Sequence, residues 1–105
     1  MKQKPPTLNP AQRERAARVL QALAHPLRLQ VLEQLAARGE LACHELQTAT
    51  GAGQSGLSQQ LKLLETQGLV ACRKDGATKY SRIRNPEILN LFSCMQHHLE
   101  LLGKE

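Results

Sequence analysis

Three residues, Gly51-Ala52-Gly53, separate two stretches of helical periodicity. A link that short forces the two helices to cross as immediate neighbours. Before it, Leu41–Thr50 reads as a short helix with Leu46 and Ala49 turned inward. After it, a helix is expected over about residues 54–67. Leu57, Leu61 and Leu64 recur there at i, i+4 and i+7, with Leu63 beside them. Gly68 then fits the C′ position that closes a helix. The pattern is that of a helix-turn-helix.

The second of these helices has an unusual polar side. Gln54, Ser55, Ser58, Gln59 and Lys62 supply amides, hydroxyls and one lysine, where a merely solubilising face more often alternates Glu and Lys. An α-helix fits the DNA major groove. Gln can pair with adenine through two hydrogen bonds, Ser can donate or accept, and Lys can reach guanine or phosphate. N-terminal residues of a recognition helix are the ones that reach the bases. These five side chains are therefore candidates for base reading.

The flanking chain completes the architecture. Residues 1–9 have no apolar periodicity and read as a flexible arm; the domain is expected over 10–102. Asn9-Pro10 makes an N-cap and first helical residue, and Ala16, Val19, Leu20, Leu23 and Ala24 form a stripe behind it. Pro26 restarts the chain, and Leu27, Val31, Leu32 and Leu35 form a second stripe closed by Gly39. After Gly68 the composition turns strand-like. "LVACRK" and "TKYSRI" flank "DGA", a hairpin signal, and Arg73, Lys74 and Lys79 surround its tip as a basic wing. Asn85-Pro86 opens the last helix. The expected fold is mainly α with one β-hairpin, a winged helix-turn-helix of order ααααββα.

The last helix is apolar over more than one core-facing stripe. Ile88, Leu91, Met95 and Leu99 make a line that Leu89 and Phe92 widen. A band that broad calls for a partner helix, and a chain of 105 residues often shares apolar surface with a second copy. A homodimer is expected, with Leu20 of the first helix and Ile88, Leu91, Phe92, Met95 and Leu99 of the last at its interface.

Charge points to the same partner as the polar face. Lys and Arg number 14 against 9 Asp and Glu. Six of the basic residues and only two acids, Glu65 and Asp75, lie between Gln54 and Arg84, so nearly all of the net +5 sits on the putatively reading helix and wing. No apolar run could span a membrane, and "MKQKPPTLNP" has no signal core, so the expected location is the cytoplasm. Three widely spaced cysteines are not a disulfide framework. No nucleophile motif, phosphate loop or carboxylate pair suggests an enzyme. The alternative is a winged helix used for protein contact, or a regulator without a ligand sensor.

"ALAHPLRLQVLEQLAARGELACHEL", "QSGLSQQLKLLETQGLV" and "RKDGATKYSRI" resemble the ArsR/SmtB family of bacterial winged-helix repressors over about residues 16–101. Ala22-Leu23 through Arg28 matches the family's run near its second helix. Ser55, Ser58 and Leu61 match its recognition helix, and Gly68-Leu69-Val70 matches its approach to the wing. The resemblance implies a homodimer packed through its first and last helices, bound to a palindromic operator in double-stranded DNA and released by an inducer. The chain departs from the family pattern at Gln60, where His is usual, and at Gly53, where a Ser N-cap is usual.

The resemblance also bears on sensing. A family metal site with Cys-x-Cys in the third helix falls on Ala42 and His44, with Cys43 between them. A second, on the last helix, falls on Asn85, Glu87, His98 and Leu101, so half of its ligands are missing. The cysteine positions of sulfide-responsive members fall on Glu33 and Glu100. Cys43, His44, Cys94 and His98 remain as candidate sensor residues, for Zn(II) or another thiophilic metal or metalloid. Against this stands a plain packing role for all three cysteines.

Overall fold

The computed structural model describes residues 4–104; residues 1–3 of the expected arm and Glu105 lie outside the described residues. Helix α1 (Pro10–Leu23) begins at Asn9, whose side chain accepts from the Gln12 amide at 2.8 Å while the Gln12 side chain accepts from the Asn9 amide at 3.0 Å. Helix α2 (Pro26–Arg38) is capped by His25, whose Nδ1 accepts from the Leu27 amide. Strand β1 (Leu41–Ala42) and helix α3 (Cys43–Thr50) follow. Gly51, at φ +76°, turns the chain through the left-handed region into α4 (Gln54–Thr66). Strands β2 (Val70–Asp75) and β3 (Thr78–Ile83) form the hairpin. A 3₁₀ turn at Pro86–Ile88, capped by Asn85, leads into α5 (Leu89–Leu102).

Two boundaries differ from the sequence expectation. Leu41 and Ala42 do not open α3; they form a strand that pairs with Ser81 and Tyr80 of β3. The sheet therefore has three strands in the order β1-β3-β2, and β3 is central. Two residues are too few to display an alternating pattern, so nothing local distinguishes them from a helix start. The last helix also starts later than Pro86, because the Asn85 cap closes a 3₁₀ turn before α-helical bonding begins at Leu89.

The core joins α2 (Val31, Leu32, Leu35), α3 (Leu46), α4 (Leu57, Leu61, Leu64) and the sheet (Leu41, Leu69, Val70), with Ala22 and Leu23 from the end of α1. It is aliphatic throughout, as two aromatic residues in the chain require. Replacing Leu61, which is 1% exposed, by Ala should cost about 2–5 kcal/mol of unfolding free energy in urea titrations.

Helices α1 and α5 stand largely outside this core. No residue of α5 is buried, and Leu20, Leu91, Met95 and Leu99 are 56, 43, 55 and 57% exposed. Ile88 and Phe92 are half-buried against the core edge. Such a stripe of large apolar side chains favours a covering partner. Sedimentation at micromolar concentration should give twice the 11.6 kDa chain mass, and Leu99→Lys should shift it toward the single mass. A wild-type monomer with a folded spectrum would show that α5 does not pair with a second copy.

Candidate nucleic-acid interface

Burial divides α4 into two sides. Leu57, Leu61 and Leu64 are at most 1% exposed, while Gln54, Ser55, Ser58, Gln59 and Lys62 are all exposed. The core leucines thus fix which way the five polar side chains point. No acid lies on α4 before Glu65. No side chain caps the helix at Gly53, so its first amides are not taken by a neighbouring oxygen atom of that residue's side chain.

The end of α4 sets where the wing begins. Gly68, at φ +76°, takes C′. The Leu69 amide donates to the Leu64 carbonyl at 2.9 Å and the Gly68 amide to the Glu65 carbonyl at 3.0 Å, a complete Schellman closure. Val70 then enters β2 opposite Ile83. At the far end, Gly76 at φ +64° is the first of two turn residues between Asp75 and Thr78. Positive φ there and not at Ala77 is the pattern of a type II′ hairpin.

The wing places Lys74 and Lys79 directly opposite each other next to that turn. Like charges in a facing pair are unfavourable in a sheet taken alone. Arg73 behaves differently from its lysine neighbour. Its Nε donates to both carboxylate oxygens of Glu40 at 3.0 Å, and its Nη2 donates to Oε1 at 2.6 Å. The guanidinium also lies 4.5 Å from the Tyr80 ring centroid. Glu40 ends the loop before β1, so this pair ties one edge of the sheet to the other across β3. Nothing local in the sequence marked Glu40, which lies 33 positions from Arg73.

A second polar tie was also silent in the sequence. Arg28, on the first turn of α2, donates from Nε to Gln60 Oε1 at 2.5 Å and from Nη1 to the Gln21 and Ala22 carbonyls at 3.3 Å each. Gln60, at the position where the ArsR/SmtB pattern has His, faces Arg28 and not the exposed polar side.

The candidate sensor residues are scattered. Cys43 is half-buried at the start of α3 and packs against the core, and His44 beside it is exposed. Cys94 and His98, four apart on α5, share one exposed helix side. Among the described residues no three of His, Cys, Asp or Glu come together, so one chain alone builds no metal centre. All three cysteines are free thiols. Burial pushes the Cys72 thiol up, and a 3.4 Å contact with Ser81 Oγ opposes that shift. A thiol kept protonated in this way is a poor nucleophile.

A helix-turn-helix domain model matches residues 23–73. The chain is 40% identical over 83 residues to the HTH-type transcriptional regulator Rv0324 of Mycobacterium tuberculosis, covering 79% of this chain and 36% of that protein. It is 32% identical over 96 residues to the transcriptional repressor SmtB homolog of Synechocystis, covering 91% and 72%. The homodimeric winged helix-turn-helix DNA-binding domain of Mb0332 from Mycobacterium bovis, described as a possible ArsR-family regulator, superposes with a TM-score of 0.76 at 38% identity, over 86% of this chain and 82% of that one. The chain belongs to the ArsR/SmtB family of winged helix-turn-helix transcriptional regulators.

The Glu40–Arg73 pair makes stability depend on acid. The hydrogen bonds from Arg73 hold the Glu40 carboxyl below its ordinary range. A carboxylate held low stabilises the folded state at pH above its unfolded value and loses that contribution as pH falls through the lowered value. The pair is solvent-accessible, so the contribution is small. Thermal melts of wild type and Glu40→Gln should differ in favour of wild type at pH 7, and the difference should vanish in acid.

Proposed function

We propose that residues 10–102 act as a homodimeric, sequence-specific DNA-binding repressor whose two α4 helices enter successive major grooves of a palindromic operator. The observation that carries this reading is the division of α4: one side is locked in the core, and the other presents only amides, hydroxyls and one lysine from Gln54 to Lys62. Gln54, Ser55, Ser58 and Gln59 read base edges, and Lys62 reaches guanine or phosphate. Lys74 and Lys79 grip the backbone beside the groove, where a phosphate relieves their mutual repulsion. Arg73 joins them by exchanging the Glu40 carboxylate for a phosphate. Leu20, Ile88, Leu91, Phe92, Met95 and Leu99 form the dimer contact, supported by the homodimeric state of the Mb0332 domain.

An inducer that favours a second dimer geometry would release the operator, since a ligand shifts an equilibrium only by its differential affinity for the two states. A metal, metalloid or thiol-reactive species remains the proposed class. Related proteins include an SmtB homolog. Cys43 could tilt the reading head through α3, and Cys94 with His98 could act between protomers through α5. The packing of Cys43 and Cys72 against the core favours a structural role for these two.

Mobility-shift titrations test the division of labour. Gln59→Ala should weaken the preferred site by about 1–3 kcal/mol and relax its sequence preference. Lys74→Ala should weaken every duplex alike and reduce the salt slope by about 0.9. Identical behaviour of the two variants would sink the assignment of reading to the helix and gripping to the wing. In the same assay, a protein with Cys43, Cys72 and Cys94 all changed to Ser should keep its DNA affinity in reducing buffer. A wild-type response to peroxide, a polysulfide donor, arsenite or Zn(II) that this variant lacks would make the cysteines the sensor.

A further inference from the structure

We infer that Arg28 and Gln60 form a positioning strut that sets α4 at a fixed attitude to the dimer-forming helix α1, and thereby sets the half-site spacing that the dimer accepts. This rests on the operator-binding reading above. The guanidinium is the junction of three helices. It sits on α2, accepts its geometry from two carbonyls at the end of α1, and is held at 2.5 Å by the side chain of Gln60 on α4. Among the described residues this is the one side chain–side chain hydrogen bond that α4 makes.

Each part of the contact has a physical reason to be directional. The last carbonyls of α1 have no partner one turn further on, and its last turn carries no basic residue, so Arg28 supplies the cation that the helix end favours. A guanidinium is planar with its donors in a rigid fork; bonding on two edges fixes its orientation, which an ammonium on a flexible stem would not. Both Arg28 and Gln60 are half-buried, so the bond is partly shielded from water.

The leucines of α4 fix its depth in the core, but apolar packing is non-directional. The rotation and tilt of the helix need a directional contact, and Gln60 lies beside Gln59 and Leu61, midway along the reading segment. In a dimer joined through α1 and α5, the distance between the two α4 helices follows from that tilt. Recognition helices of a dimer must meet half-sites about 34–36 Å apart, so a small change in tilt alters the spacing that fits.

The test uses the full chain. A preferred duplex is selected by the wild type from a randomised library, and a copy with one base pair inserted between its half-sites serves as the mis-spaced probe. The wild type is expected to prefer the correct spacing by about tenfold or more. Gln60→Met removes the acceptor at similar volume, and Arg28→Ala removes the donor. Each should reduce that preference at least threefold, as roughly expected for residues in direct contact, and the double variant should do no worse than the stronger single. Gln60→Glu keeps an acceptor for the guanidinium and should keep the wild-type preference. Affinity for long random duplex should stay within about twofold throughout, a readout that a purely structural role would not spare. The strut is overturned by a Gln60→Met protein with intact spacing preference, or by a uniform loss of affinity for all duplexes, random ones included. A wild type that selects no duplex overturns the operator reading and the strut with it, and is told apart from failure of the strut alone by that absence of selection.

Discussion

The insertion of Leu57, Leu61 and Leu64 into the core is the contact on which the rest of the molecule depends. Helix α4 has little to hold it together on its own. Its N-cap is Gly53, which offers no side-chain oxygen, and Gly56 in its second turn costs about 1 kcal/mol relative to Ala. Burial of three leucines, each contributing about 1.5–3 kcal/mol, outweighs those local losses. The consequence is functional as well as energetic. A helix fixed by one side can devote its other side to residues chosen for what they bond and not for helix propensity. Serines and glutamines on that side are affordable because leucines on the opposite side decide the conformation.

The sheet extends this logic from α4 to the wing. The Schellman closure at Gly68 delivers the chain directly from α4 into β2, so wing and reading helix share one covalent joint with no slack loop between them. Strand β3 is bonded on both sides, by β1 and by β2, and buried Ser81 lies where the two pairings meet. The Arg73–Glu40 pair adds a link between the outer edges of the same sheet. A two-stranded ribbon is marginal in water, and the third strand with its cross-sheet ion pair makes the wing a rigid extension of the core. Its tip can then hold Lys74 and Lys79 face to face.

The sequence revealed those features whose cause is local. Leucines at helical spacing, glycines at positive φ, the two Asn-Pro caps and the hairpin turn are each dictated within a few residues, and each lies where its pattern placed it. The features it concealed depend on partners far along the chain. Leu41-Ala42 became a strand because β3 offers a free edge, which no two-residue pattern can announce. Glu40 finds Arg73 and Arg28 finds Gln60 only once the fold is made, at separations of 33 and 32 residues. Gln60 illustrates the difference most clearly. Among glutamines and serines it looked like one more polar residue of α4, yet its turn of the helix points it at α2, while Gln59 one position earlier is exposed.

The apolar stripe of α1 marks the opposite kind of gap, since its pattern was legible but its destination was not. Ala16, Val19, Leu20, Leu23 and Ala24 recur as a core-facing helix would require, yet only Leu23 of these is buried in the single chain. A small chain has too little interior to cover seven secondary-structure elements of this length, and α1 and α5 are the two left outside. Leaving them there gives the molecule two separate apolar systems: a core that fixes the reading helix, and an outer pair of helices whose stripe suits a second copy. Ala22 and Leu23 join the systems through packing, and Arg28 joins them through directed bonds from the same end of α1. Any change in how the outer helices pair is therefore felt by α4 through this one corner of the fold. Ligands for a metal or reactive species placed on α5, such as Cys94 and His98, would act at the right end of that connection even though one chain holds too few of them to form a site.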